Sequence, residues 1–202
     1  MKEIVIEDAD KNTVVFTSDM HFGHLNIAKM CNRTDNGKEF NTSDEMDEWL
    51  IEKWNSKVTD KDLVIDLGDF MFKLDPSKVL SIVDRLNFDI LVLLPGNHGL
   101  EYNSILKQRT NVLVVEDTDI LNVIVNDKDL KGGRCSIVAC HYPIYEVPGQ
   151  YRGAFHVYGH THKELNMTPN SLHVGIDTTD HAPLRYEEVI LKIHAKQAKS
   201  KL

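Results

Sequence analysis

Carboxylates and imidazoles in this chain fall two residues apart where apolar runs stop. Asp19 and His21 lie in TSDMHFGHLNI with His24 three residues on, and His160 and His162 lie in YGHTHK. On an extended backbone residues i and i+2 point to the same side, so each pair can converge on one cation. Leu67-Gly68-Asp69, Pro95-Gly96-Asn97-His98 and His141 likewise follow apolar runs directly. Gly68, Gly96 and Gly159 stand immediately before candidate ligands, where the missing Cβ permits a tight turn or a close backbone approach. Carboxylate, imidazole and carboxamide without thiolate suit Mn²⁺, Fe or Zn²⁺ better than a sulfur-selecting ion. The seven groups Asp19, His21, Asp69, Asn97, His141, His160 and His162 exceed what one tetrahedral ion takes. Two divalent ions, about 3.5–4 Å apart as in two-metal sites, are the economical reading.

For these groups to meet, the runs before them must be strands of one scaffold, because α/β sheets place ligands at strand ends. Such runs cover residues 4–6, 14–17, 63–67, 90–94, 112–115, 120–125, 136–140, 155–158 and 172–176, many rich in Val and Ile. Thr42-Ser43-Asp44-Glu45 offers a capping box for a helix with Met46, Trp49, Leu50 and Trp54 on one face. Asp75-Pro76 begins another, carrying Val79, Ile82, Val83 and Leu86. A short helix is expected over 25–30, a turn over 127–134 with Gly132-Gly133, and a closing helix over 186–199. The first half alternates strand and helix and the second is mostly strand, a pattern that predicts two sheets flanked by helices.

With 202 residues and 42% hydrophobic content, the expectation is one domain over 1–202 with a substantial core. Twenty-three Lys and Arg against 31 Asp and Glu give a formal charge of −8, which works against a broad grip on polymeric nucleic acid. The start MKEIVIEDAD is not a basic segment leading into an apolar one, and no apolar run nears the roughly 18 residues of a membrane span, so the cytoplasm is expected. Cys31, Cys135 and Cys140 lack zinc-finger spacing and read as free thiols.

Taken together, D-x-H at Asp19, G-D at Asp69, G-N-H at Asn97, a lone His141 and G-H-x-H at His160 resemble the calcineurin-like metallophosphoesterases, with all five blocks in that family's order. The opening SDMHFGHLNI, the segment Val174-Gly175-Ile176-Asp177 and the segment Pro183-Leu184-Arg185-Tyr186-Glu187-Glu188 resemble a small bacterial and phage branch with a D-x-H-F-G-H-x-N start. The resemblance implies a four-layer α/β/β/α sandwich of two mixed sheets flanked by helices. It implies Asp19, His21 and His162 on one metal, Asn97, His141 and His160 on the other, and Asp69 between them. Mn²⁺ is the first expectation, with Fe or Zn²⁺ as alternatives. His98 is left without a metal and becomes the general acid for the leaving group, while a metal-bound hydroxide attacks phosphorus in line. Gly99 departs from the acidic residue that the family carries after G-N-H.

His24 is expected to contact substrate phosphate, although His24 and Asn26 also have the chemistry to cap the helix at 25–30. Arg33 is the second expected phosphate contact, a solvated loop charge being its alternative. Asn97 has turn chemistry with or without a metal. His156 and His173 read as strand-face residues, and His181 and His194 as surface. The expected activity is hydrolysis of a small phosphomonoester or phosphodiester resembling a nucleotide. Its competitors are a nuclease acting on nucleic-acid ends and a non-catalytic, metal-supported binding module.

Overall fold

Strands buried on both faces need apolar side chains at every position, and Val14–Thr17 and Leu63–Asp66 have almost nothing else. In the computed structural model, which describes residues 1–200, the chain runs β1 (Lys2–Ile6), β2 (Val14–Thr17), α1 (Leu25–Met30), α2 (Ser43–Asn55), β3 (Leu63–Asp66), α3 (Val79–Val83) and β4 (Ile90–Leu93). It continues α4 (Asn103–Leu106), β5 (Val112–Val114), β6 (Ile120–Asn126), β7 (Arg134–Cys140), β8 (Phe155–Tyr158), β9 (Ser171–His173), β10 (Leu184–Arg185) and α5 (Tyr186–Lys199). One sheet has the order β1-β6-β7-β8-β9 and the other β10-β2-β3-β4-β5. Both are mixed: only β6 with β7 and β10 with β2 pair antiparallel.

Parallel neighbours need a crossover, and α1 with α2, α3, and α4 supply those between β2, β3, β4 and β5. Their apolar residues, among them Ile27, Met46, Trp49, Leu50, Trp54 and Val79, pack on Val15, Val64, Leu91 and Leu93. Thr42 caps α2 by accepting the Glu45 N–H, as the sequence pattern predicts, while the Glu45 carboxylate accepts from Asn41 N–H rather than from Thr42. From the opposite face of that sheet Val14, Phe16, Ile65, Leu67 and Val92 meet Leu121, Val123, Ile137, Ala139 and Val157 of the other sheet. The apolar stripe of α5, Tyr186, Val189, Ile190 and Ile193, joins this inter-sheet core, and α5 packs along β9, β10 and β2. The expected two mixed sheets flanked by helices are therefore present. Among the described residues no helix is long and apolar enough to cross a membrane.

Where the sheets meet decides where the chemistry sits. An isolated parallel bridge joins Ser18, just past β2, to Gly175, just past β9. Asp19 N–H donates to Gly68 O, Leu67 N–H to Thr17 O and Gly159 N–H to His141 O. The carboxyl ends of β2, β3, β7, β8 and β9 are thus tied into one rim.

Candidate metal centre

Seven polar side chains from five segments crowd this rim. The ligand atoms of Asp19, His21 and His162 lie within 4.8 Å of one another, as do those of Asp19, Asp69 and His141. Asn97 Oδ1 lies 3.0 Å from His141 Nε2 and 2.8 Å from His160 Nδ1. Asp69 stands between these groups with one oxygen towards each: Oδ2 is 3.5 Å from His21 Nε2 and Oδ1 is 3.6 Å from His141 Nε2. Gly96 permits that position, since a Cβ there would come 2.2 Å from Asp69 Oδ1.

The backbone is bent to reach this arrangement. Asp19, His21, Asp69, His160 and His162 all have positive φ, between 53° and 67°. Non-glycine residues enter that region rarely and at a cost of order 1–3 kcal/mol each, so such conformations cluster where surrounding structure enforces them for function. Here the enforcement is visible: His21 N–H donates to Asp69 O, His98 N–H to Asp69 Oδ1, and His160 N–H to both oxygens of Asp19.

The electrostatics of these donors suit a bound cation. Burial pushes the Asp19 carboxyl up to about 7, His162 opposing and Asp69 adding to the rise. Burial raises Asp69 too. It lowers His21 to about 2 and His141 to about 3. Neither ring nitrogen of His21 has a hydrogen-bond partner, although the residue is only 2% exposed. Buried acceptors facing one another without a donor are costly, and a divalent cation supplies the charge that satisfies both. Donor separations near 3 Å also match the edges of a coordination shell with ligands about 2.0–2.2 Å from the ion. The residues present fit a metal centre.

His162 is braced from behind. Its Nδ1 is 2.7 Å from Asp177 Oδ2, which leaves Nε2 free for a metal in the carboxylate–histidine–metal manner. Burial works against the imidazolium, but Asp177, Cys31 and Asp19 together outweigh it and His162 rises to about 10. For Asp177 the burial penalty is overcome by Arg33 and His162, which hold its carboxyl well below the usual range.

This corrects the expectation for Arg33. The side chain is not offered to substrate: it is 1% exposed, pairs with Asp177 through Nε at 2.7 Å and Nη2 at 2.9 Å, and donates to the carbonyls of Met20 and Asp19. It holds the strand end that carries Asp19. His24 does flank the site, its ring 5.4 Å from that of His21 and 4.1 Å from that of Phe72. It occupies the capping position of α1 but makes no capping hydrogen bond. His98 sits beside His21 at 5.9 Å between ring centres, edge-on to Phe72 at 4.4 Å. Gly99 has φ +83°, and a Cβ there would meet Met71 O at 2.7 Å, so an acidic side chain after His98 would strain this loop. His156 and His173 are buried strand residues as expected, whereas His181 is half-buried against Trp49 and 4.0 Å from Asp177.

Asp177 and Phe72 are site residues that the motifs did not assign. Asp177 lies in the quoted segment Val174-Gly175-Ile176-Asp177, and its one signal was that neighbourhood. An open hollow of about 970 Å³ lies elsewhere, lined by Ile124, Arg134, Arg152 and Phe155 and by none of the seven.

A family model described as calcineurin-like phosphoesterase matches residues 13–164. An uncharacterized protein of Methanocaldococcus jannaschii, MJ1445, is 41% identical over 99 residues, which are 45% of this chain and 53% of that relative. The match therefore spans about half the length of that curated relative. The crystal structure of AQ665 from Aquifex aeolicus, a protein of unknown function, aligns over 88% of this chain and 97% of its own, with TM-score 0.62 and 18% identity. That likeness is one of fold.

Proposed function

Because the chain belongs to the calcineurin-like phosphoesterase family, whose members hydrolyse phosphate esters with bound divalent metals, we propose that it is a two-metal phosphoesterase acting on a small nucleotide-like monoester or diester. Asp19, His21 and His162 would hold one ion and Asn97, His141 and His160 the other. Mn²⁺ is the ion we favour, from the hard oxygen and imidazole donors. When bound, the ions supply Lewis-acid chemistry, making a water nucleophilic near neutral pH and neutralising charge on the phosphoryl oxygens.

The observation that carries this reading is Asp69, one carboxylate presenting an oxygen to each half of the site. His98 is the candidate general acid. It is not among the convergent donors, yet its backbone N–H is tied to Asp69 Oδ1 at 2.8 Å, so the imidazole is held beside the shared carboxylate. From there it delivers a proton to the departing ester oxygen. Phe72 fixes the imidazole ring by edge-on contact, the work an acidic neighbour would otherwise do. His24 completes the wall on that side. The formal charge of −8 and the burial of Arg33 support a small substrate over a nucleic-acid polymer. Three free cysteines fit a reducing compartment such as the cytoplasm.

The test is hydrolysis of nitrophenyl phosphate and a nitrophenyl diester with added Mn²⁺, before and after chelation. Chelator-sensitive turnover of at least one ester is expected, and its absence for both would favour a binding module. His98→Ala should keep its metal content and lose about 10²–10⁴-fold in turnover of alkyl esters, with much less loss on nitrophenyl esters. Equal loss on both would remove the acid role.

A further inference from the structure

With Arg33 sealed under the site, the question is which cation meets an anionic substrate at a rim built from carboxylates. Lys73 is exposed and follows Phe72 directly. Its Nζ lies over the Phe72 ring, 5.1 Å from the centroid, and the same ring contacts His98 at 4.4 Å and His24 at 4.1 Å. The ammonium is therefore no farther from the His98 ring than the sum of two short contacts.

Among the described residues Lys73 makes no ion pair, as Lys29, Lys38, Lys53 and Lys61 make none, so its ammonium is available to an anion, and its backbone sets it apart from those other lysines. That backbone has φ +52°, in the left-handed region shared with the candidate ligands. Both neighbours hold it there: Phe72 N–H donates to Phe22 O, and Leu74 O accepts from the Tyr102 hydroxyl at 2.9 Å. A flexible, β-unbranched residue gains nothing locally from such a conformation, so the loop is shaped for where it points the side chain.

We propose that Lys73 is the substrate-facing cation of this site, and that the preferred substrate is a phosphate ester whose leaving group carries a second phosphate, as a nucleoside 3′,5′-bisphosphate does. The inference rests on the phosphoesterase reading, because His98 defines the side from which the leaving group departs. Phe72 contacts both His98 and Lys73, so a second anionic group on the departing half reaches the ammonium while the scissile phosphate stays with the converging donors. Phe72 also keeps the lysine oriented through the cation–π contact.

Steady-state kinetics with Mn²⁺ on adenosine 3′,5′-bisphosphate and adenosine 5′-monophosphate test it, using wild type, Lys73→Met and Lys73→Arg. The ratio of KM for the bisphosphate to KM for the monophosphate should rise about fivefold in Lys73→Met, as for loss of one exposed ion pair. Lys73→Arg should hold it, and added salt should shrink the difference between Lys73→Met and wild type. In a second measurement, bound bisphosphate should slow acetylation of Lys73 by acetic anhydride relative to Lys61, at the other end of β3. An unchanged KM ratio in Lys73→Met, or acetylation of Lys73 indifferent to bisphosphate, overturns the proposal while wild-type turnover of the esters keeps the phosphoesterase reading. Wild type inert on both esters overturns the two together.

Discussion

Around Asp19, His21 and His162 the protein is braced by a buried ion pair, whereas in the half formed by Asn97, His141 and His160 no ion pair among the described residues stands behind the donors and Asn97 is exposed, although His141 itself is buried. Asp19 is 0% exposed, and the Arg33 and Asp177 pair behind it is buried from both sides. On the other side Asn97 is exposed, and its amide oxygen is the contact that joins the two imidazoles. The first half carries its own counter-charge and is shaped before any ion arrives. The second half is held by neutral contacts and by the ends of β4 and β7. The physical lesson is that one ion should bind tightly to a preorganised cage and the other should exchange more readily.

The contrast breaks most visibly at Asp177. Asp177→Ala would leave the Arg33 guanidinium buried without a partner, an expected loss of about 3–5 kcal/mol in denaturant unfolding. Elemental analysis of the folded fraction should show weakened binding of the first ion. Unfolding unchanged from wild type would mean that the pair braces nothing.

A smaller effect tests the same half from α2. Asp47 accepts the Gly23 N–H at 2.8 Å, and burial raises its carboxyl to about 6 from an unfolded value of 3.8. A raised carboxyl stabilises the fold fully below the unfolded pKa and loses that contribution as pH rises through the folded one. Wild type should therefore lose up to about 3 kcal/mol relative to Asp47→Asn between pH 4 and pH 7, read from paired denaturation curves with chelator present. Parallel pH profiles would show that Asp47 is not the strained group.

Gly99→Asp tests the loop between the halves by installing the acidic residue that the family pattern has there. The left-handed φ and the 2.7 Å approach to Met71 O predict a loss of about 1–3 kcal/mol and lower turnover. Higher turnover would instead mean that a carboxylate is what His98 lacks. The smallest change in stability is expected for Asn97→Ala, within about 0.5 kcal/mol because the side chain is exposed, but affinity for the second ion should fall at least about tenfold. A matching loss of the first ion would erase the distinction drawn here.

How much of this was legible in the sequence follows the same divide. Strands such as Val14–Thr17 and Ile90–Leu93 are visible because burial on two faces demands nearly unbroken apolar runs, and α5 begins and ends where its pattern predicts. The two-residue β10 and the single turn of α4 are too short to carry a period. Donor residues announce themselves by spacing and by glycines. Their supports do not: Arg33 and Asp177 are 144 positions apart, so the burial that turns a loop arginine into a brace is invisible along the chain. Asp177 also lies beyond residues 13–164, the segment matched by the family model. His181 reads as surface for the same reason, since Trp49 and Asp177 reach it only through the fold.

The most direct test of the shared carboxylate is anomalous diffraction at the manganese edge from crystals grown with Mn²⁺. Two peaks are expected about 3.5–4 Å apart, one beside His21 and His162 and the other beside Asn97 and His160, with Asp69 touching both. A single peak in the rim, or two peaks that Asp69 does not link, would contradict it.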